Sequence, residues 1–180
     1  MTETASESNV VRIVPLTTDD IDALIELAGV IWRHHYAELI GMQQVEYMLA
    51  QRYTPANVRG QLQRDDAWWD KVLAGGRMIG FAQYELSELS ERKQHTAVLK
   101  LNQIYLHQDF QRRGHGGRIL EHVAEQARLR GCDRVRLSVN RHNVKSIAAY
   151  RKHGFAVAAT LVTDIGGGFV MDDYVMEKKL

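Results

Sequence analysis

Apolar residues recur at helical spacing in the first third of the chain, which predicts amphipathic helices there. The first helix follows an N-cap cluster at residues 17–20 and buries one face over residues 21–31. The helical pattern continues from Trp32 to Tyr53, but Gly41 interrupts it. Another helix begins at Thr54-Pro55 and extends to about Leu62.

Shorter apolar runs, some strictly alternating and others continuous, predict β-strands. These runs cover residues 10–16, 67–74, 78–86, 98–106, 134–139, 155–162 and 169–178. Gly75-Gly76 separates the second run from the third, which predicts a hairpin with a two-residue turn. The last two runs flank Gly166-Gly167-Gly168.

Two further helical patterns alternate with strands in the second half of the chain. One covers residues 119–129 and stops at Gly131, and the other covers residues 143–153 and stops at Gly154. This alternation predicts an α/β fold with a mixed central sheet of about seven strands and flanking helices. We expect one domain over residues 10–180, preceded by a disordered polar tail at residues 1–9.

Charge and cysteine content narrow the class of protein. Lys and Arg number 23 and Asp and Glu number 22, so no global field draws the chain to nucleic acid or to a membrane. Cys132 is the one cysteine and has no obvious paired base, so we expect no disulfide and no catalytic role for it. The first residues contain no basic n-region and no apolar h-region, and no apolar run reaches spanning length, so we expect neither a secretory signal nor a transmembrane helix. We expect a cytoplasmic protein without a bound metal.

The segment FQRRGHGGRIL, residues 110–120, joins the fourth predicted strand to the following helix. Backbone N–H groups at a helix start have no intrahelical partner, and glycines let phosphate oxygens approach the main chain. The segment therefore predicts a phosphate or pyrophosphate site, with a tight β-to-α turn as the structural alternative. Its three arginines could also bind nucleic acid, but this interpretation is the weaker one because the chain is near-neutral and has only a single short basic loop.

Spacing excludes two familiar phosphate loops. No Gly-Lys-Ser/Thr follows the glycines, as a Walker A loop requires. A dinucleotide fingerprint that began at Gly114 and Gly116 would need a small residue at Ile119.

A second motif lies beyond the alternating strand at residues 134–139. Together, the two motifs closely resemble those of the Gcn5-related N-acetyltransferases (GNAT), a resemblance that covers essentially Val10 to Leu180. The matching residues are Gln111, Gly114 and Gly116 in the loop, followed by Asn143, Ser146, Tyr150, Gly154 and Phe155. Both motifs occur in the family's order and at a family-like separation.

The resemblance implies that acetyl-CoA lies where the fourth and fifth strands splay apart. It implies that backbone groups of Ile104, Tyr105 and Leu106 pair with the pantetheine arm. The residues that it assigns to the pyrophosphate site are Gln111, Arg112, Arg113, Gly114, His115, Gly116 and Gly117. Asn143 would contact the cofactor arm, with Ser146 and Tyr150 on the same helix face.

Acetyl transfer from a thioester to an amine needs no covalent enzyme intermediate if both reactants are held in attack geometry. The resemblance implies that Tyr150 protonates the departing thiolate. No Asp or Glu occurs from Lys93 to Gln108, although histone-type members place a glutamate in that strand. The proton acceptor is therefore Glu85, one of the histidines His34 and His35, or water.

The acceptor is expected to be a primary amine of a small molecule or a peptide. Residues 31–49 and 168–174 look similar to bacterial PaiA-type acetyltransferases, a branch that includes polyamine-acetylating members. The expected acceptor-binding residues are Trp32, His35, Tyr36 and Glu85. Acidic Glu38, Asp172 and Asp173 could attract a cation, although such carboxylates usually only solvate a surface.

Two alternatives to an acetyltransferase stay open at this point. The first is a domain of the same fold that binds acetyl-CoA in a sensory or regulatory role without turnover. The second is a nucleic-acid-binding module that uses the arginine loop, but neither explains residues 143–155 as economically. The resemblance also allows a homodimer, because members of this fold often form one.

Overall fold

The structure is a computed structural model that describes residues 11–87 and 97–180. The expected disordered tail at residues 1–9 lies outside the described residues. The strands are β1 (Val11–Pro15), β2 (Ala67–Ala74), β3 (Arg77–Leu86), β4 (Ala97–Leu106), β5 (Cys132–Asn140), β6 (Ala156–Gly166) and β7 (Phe169–Lys179). The α-helices are α1 (Ile21–Ile40), α2 (Met42–Arg52), α3 (Pro55–Leu62), α4 (His115–Leu129) and α5 (Val144–Lys152).

The strands form a seven-stranded sheet in the order β1-β2-β3-β4-β5-β7-β6. β4 and β5 are parallel, with register pairs from Ala97 and Cys132 to Leu101 and Leu137. β1 with β2, β5 with β7, and β6 with β7 are antiparallel. A parallel pair requires a crossover connection, which here contains α4. The predicted mixed sheet of about seven strands with flanking helices is confirmed.

The chain divides into two compact units. The amino-terminal unit comprises the described residues up to Gln83 together with Gln103–Ile119, and the carboxyl-terminal unit comprises Tyr84–Asn102 and Leu120–Leu180. β3 and β4 each contribute residues to both units. The single domain over residues 10–180 stays a prediction.

In the amino-terminal unit, α1 packs against α2 and α3 through one apolar face. The buried residues of that face are Ile21, Leu24, Leu27, Ala28, Ile31 and Trp32. α1 ends at Ile40 and α2 begins directly after Gly41, which confirms the predicted interruption of the helical pattern at that glycine. The predicted turn between β2 and β3 is confirmed, because Gly75 and Gly76 have φ of 55° and 79°. Positive φ at both central residues is what a primed hairpin turn requires.

In the carboxyl-terminal unit, β5 follows its sequence alternation. Val135, Leu137 and Val139 are buried, whereas Arg134 and Arg136 lie on the opposite face. Both arginines bind Glu177 of β7, at 3.4 Å from Arg134 Nη1 and 2.5 Å from Arg136 Nη2. The β6–β7 ladder extends β6 to Gly166, beyond the predicted end at residue 162.

None of the helices within the described ranges combines the length and the apolar character that crossing a bilayer requires.

Candidate active site

The glycine-rich loop joins β4 to α4 through a short 3₁₀ turn and two residues of positive φ. A 3₁₀ turn at Gln108–Phe110 follows β4, and α4 begins at His115. Arg112 and Gly114 have φ of 59° and 82°. Both residues therefore lie in the left-handed region of backbone conformation, which glycine adopts readily and a residue such as Arg112 rarely adopts. The N–H of Arg118 donates to Gly114 O at 3.2 Å. The backbone N–H groups in the first turn of α4 have no carbonyl acceptor within the helix, as at any helix start.

The loop residues Gln111, Arg112, Arg113 and Arg118 are all exposed, and two of them hydrogen-bond backbone carbonyls elsewhere in the unit. Gln111 Nε2 donates to Leu106 O at 2.9 Å, which ties the loop to the end of β4. Arg118 donates to Val11 O at 3.0 Å and therefore anchors α4 to β1. Arg112 and Arg113 are exposed, and the Arg113 guanidinium lies 5.7 Å from the centroid of the Phe110 ring.

His115 occupies the first position of α4. Its Nδ1 is buried and has no hydrogen-bond partner among residues 11–87 and 97–180. Burial, together with the positive charges of Arg118 and Arg113, lowers the pKa of His115 below its usual value of 6.5. The lowered pKa favours the neutral form of this imidazole.

An aromatic cluster in the amino-terminal unit brings together four residues that the sequence assigned to acceptor and cofactor binding. The ring centroids of Trp32 and Tyr36 lie 4.8 Å apart, and that of Tyr105 lies 5.7 Å from Trp32 and 6.2 Å from Tyr36. His35 stacks edge-on against Tyr36 at 4.7 Å. Tyr36, His35 and Tyr105 are half-buried, whereas Trp32 is buried.

Sequence reasoning missed two polar members of this cluster. Tyr53 donates its phenol hydrogen to Gln103 Oε1, and both side chains are buried. Burial and neighbouring Tyr105 raise the pKa of Tyr53 well above its usual range, so the phenol remains a donor. Gln103 has a signal in the sequence, because it follows Leu99 and Leu101 on the inward face of β4.

Asn143 caps α5 in the carboxyl-terminal unit. Its side-chain oxygen accepts the backbone N–H of Ser146 at 3.3 Å, and the residue is buried. Ser146 is half-buried one turn from Tyr150 on the same helix. The structure therefore brings Asn143 and Ser146 into direct contact.

Tyr150 and Glu85 both lie in the carboxyl-terminal unit and are half-buried. The Tyr150 ring packs against buried Phe155 at 5.9 Å, and the N–H of Phe155 donates to Tyr150 O at 3.1 Å. The glycine between them, Gly154, has φ of 87° and turns the chain from α5 into β6. The Gly-Phe part of the second motif therefore positions Tyr150.

Asp172 and Cys132 were also considered in the sequence analysis; the first is ion-paired and the second is buried. Asp172 forms an ion pair with Arg141, with distances of 3.0 and 3.2 Å, so its charge is largely compensated. Cys132 is buried, and burial raises the pKa of its thiol, which opposes thiolate formation.

A seven-stranded mixed sheet, a parallel β4–β5 pair and a glycine-rich turn between β4 and a helix are together features of a cofactor-binding acyltransferase fold. The family model described as the acetyltransferase (GNAT) family matches residues 30–155. The chain therefore belongs to the GNAT family, and the predicted acetyltransferase that uses acetyl-CoA is confirmed.

Individual proteins agree with this assignment. The spermidine N(1)-acetyltransferase of Thermoplasma acidophilum is 25% identical over 169 residues, which are 94% of this chain and 97% of that protein. The PaiA N-acetyltransferase of T. acidophilum, solved in complex with coenzyme A, has a TM-score of 0.79 at 23% identity and covers 95% of this chain and 99% of its own. This similarity in fold agrees with the expected resemblance to PaiA-type acetyltransferases.

The same fold also carries a different acceptor class. The ribosomal-protein-S18-alanine N-acetyltransferase of Escherichia coli has a TM-score of 0.68 at 20% identity and covers 94% of each chain. Fold similarity alone therefore does not select the acceptor.

Proposed function

We propose that this protein transfers the acetyl group of acetyl-CoA to a primary amine of a small cationic molecule, with polyamines as the acceptor class. The glycine-rich loop that enters α4 carries the acetyl-CoA part of this proposal, because the first N–H groups of a helix favour an anion such as the pyrophosphate of the cofactor. The spermidine N(1)-acetyltransferase relative supports the acceptor class, since that similarity extends over nearly the whole of both chains.

The aromatic cluster supports a cationic acceptor. Faces of Trp, Tyr and Phe rings attract ammonium groups electrostatically. The Arg52 guanidinium already lies 5.7 Å from the Trp32 centroid, which illustrates that this cluster accommodates a cation. We assign acceptor binding to Trp32, His35 and Tyr36, together with Glu85.

We assign cofactor binding to residues of both units. In the amino-terminal unit, residues 111–117 hold the pyrophosphate, and Ile104, Tyr105 and Leu106 pair with the pantetheine arm. In the carboxyl-terminal unit, Asn143 and Ser146 contact the cofactor arm, with Tyr150 on the same helix.

Proton transfer decides the roles of Tyr150 and Glu85. The lone pair of the neutral amine attacks the thioester carbonyl carbon, the C–S bond breaks, and the thiolate takes a proton from Tyr150. The new amide nitrogen loses the second proton of the attacking amine, and the Tyr150 phenolate regains a proton from solvent. An amine of pKa roughly 10.4 must first lose a proton, which costs about 4 to 5 kcal/mol at pH 7. Protonating a thiolate of pKa roughly 8.5 gains only about 2 kcal/mol, so the base has the larger task. We assign that task to Glu85.

Thermal-shift and turnover measurements on the whole chain test the proposal. Acetyl-CoA should raise Tm, and thiol release should follow when spermidine or spermine is added. Mass spectrometry should find one acetyl group on the polyamine. Amino acids, aminoglycosides and peptides serve as competing acceptors in parallel reactions.

Each outcome has a distinct meaning. A rise in Tm without turnover on any amine would support the non-catalytic alternative. Turnover on an amino-terminal peptide in preference to polyamines would overturn the acceptor class but keep the reaction.

A further inference from the structure

Gly80 of β3 lies against the backbone of β4 within the amino-terminal unit. A Cβ atom at residue 80 would lie 2.5 Å from Tyr105 O, 2.9 Å from Leu106 Cδ1 and 3.3 Å from Leu106 Cα. Side chains of a strand project from the sheet face, whereas ladder carbonyls point along the sheet plane. The Tyr105 carbonyl therefore occupies the space above β3 that a side chain at residue 80 would fill.

The obstacle at residue 80 is mainly backbone. The separation of 2.5 Å from the Tyr105 carbonyl oxygen is a severe overlap. Nonbonded heavy atoms are optimally separated by roughly 3.5 Å or more, so an added methyl group must displace the carbonyl. A flexible side chain could rotate away from such a contact, but a carbonyl moves only with its peptide units. Glycine inside a strand often marks such a close backbone approach.

The segment with this carbonyl is anchored on both sides. Gln103 is bound by the Tyr53 phenol, and the N–H of His107 donates to Ile79 O at 2.8 Å. Residues 104–106 therefore cannot slide along β3 to relieve a contact at Gly80. A displacement there must change the direction of the Tyr105 carbonyl and the adjoining N–H groups.

We propose that Gly80 is a positioning residue for acetyl-CoA: its missing side chain lets the Tyr105 carbonyl rest over β3 and so orients residues 104–106 for the pantetheine arm. This inference rests on the proposed function, which assigns those backbone groups to the cofactor. It adds a residue that contacts neither reacting atoms nor cofactor and acts through the strand beside it.

The test compares Gly80→Ala with a matched control, Gly60→Ala. Gly60 lies in α3, and a Cβ there would meet nothing within 4 Å. Coenzyme A affinity is measured by calorimetry below the Tm of each variant, and KM for acetyl-CoA and for spermidine are measured separately. A displacement of about 1 Å can cost on the order of 10²-fold in rate.

We expect Gly80→Ala to weaken coenzyme A binding and to raise KM for acetyl-CoA by about tenfold or more, while Gly60→Ala matches the wild type. A lowered Tm with wild-type coenzyme A affinity would show that Gly80 is only a packing residue and would overturn the proposal. A second variant, Gly80→Ala with Leu106→Ala, removes the side-chain contact but leaves the carbonyl. Full recovery of affinity in that variant would also overturn it.

Hydrogen exchange on the wild-type chain decides the case if Gly80→Ala does not fold. Amides of residues 104–107 should exchange more slowly when coenzyme A is bound. Coenzyme A could raise the Tm of the protein without slowing exchange at residues 104–107. That result would reject the role of this segment, and with it the role of Gly80, but it would not argue against acetyltransferase activity. Failure of the proposed function itself would instead appear as no coenzyme A binding and no turnover in the wild type.

Discussion

Asn143 and Ser146 are bonded to each other: the Asn143 side-chain oxygen accepts the Ser146 backbone N–H at 3.3 Å and caps α5. Both residues belong to the motif that the family resemblance assigns to the cofactor. The contact gives Asn143 a structural task, because it satisfies one of the N–H groups that a helix start leaves unpaired. Capping and cofactor binding must therefore be separated by experiment.

Asn143→Ala should lower the free energy of unfolding by about 1 kcal/mol, because the α5 cap is lost. Asn143→Ser keeps a capping oxygen but removes the amide donor, so we expect near wild-type stability and about tenfold weaker coenzyme A binding. Urea denaturation and calorimetry measure the two quantities. Wild-type coenzyme A affinity in Asn143→Ser would restrict Asn143 to capping.

Tyr150→Phe should lower kcat by about 10²-fold or more while the affinity for coenzyme A stays constant, because only the acidic hydroxyl is removed. The ring that packs against Phe155 at 5.9 Å is retained, so the fold should not change. Steady-state kinetics and coenzyme A titration measure the effect. A kcat close to that of the wild type would remove Tyr150 from the reaction.

Glu85→Gln should abolish the acidic limb of the pH profile of kcat/KM for the amine, because Gln cannot accept the proton. The substitution keeps the size of the side chain at this half-buried position in β3. Survival of the limb would exclude Glu85, and the same profile in His35→Gln would then test the half-buried histidine of the aromatic cluster.

His115→Gln should reduce the loss of stability that accompanies acidification. The folded-state pKa of His115 is lower than 6.5, so below that pH the unfolded chain binds more protons and stability falls as pH falls. Tm measured from about pH 7.5 to about pH 5.5 should therefore decline less in the variant than in the wild type. His142→Gln, which removes an exposed histidine, is the control. Equal declines in wild type and His115→Gln would contradict the prediction.

Tyr53→Phe should destabilise the protein by about 1 to 3 kcal/mol, because it leaves the buried Gln103 oxygen without its donor. Adding Gln103→Leu removes the stranded acceptor and should recover part of that loss. Urea denaturation of both single variants and the double variant gives the coupling free energy. Additive losses would show that the two side chains do not act as a pair.

Most element boundaries were predictable because they depend on neighbours in sequence. The alternation of Val135, Leu137 and Val139 predicted β5, and Gly75-Gly76 predicted the hairpin turn. The loop that enters α4 was also predictable from neighbouring residues, since Gly114, with φ of 82°, directly precedes the first residue of the helix. The roles of Tyr150 and Asn143 came from the resemblance and stay predictions.

The sequence by itself determined the elements, the glycine-rich loop and the family, because periodicity, turn chemistry and short motifs act over a few residues. Only the tertiary structure decided that β7 lies between β5 and β6, that Tyr53 donates to Gln103, and that the Tyr105 carbonyl covers Gly80. These contacts join residues far apart in the chain, where strand order and burial select the partners. The alternation of β4 places Gln103 on the inward face, but the sequence does not show that its partner is the phenol of Tyr53, 50 residues away in the chain.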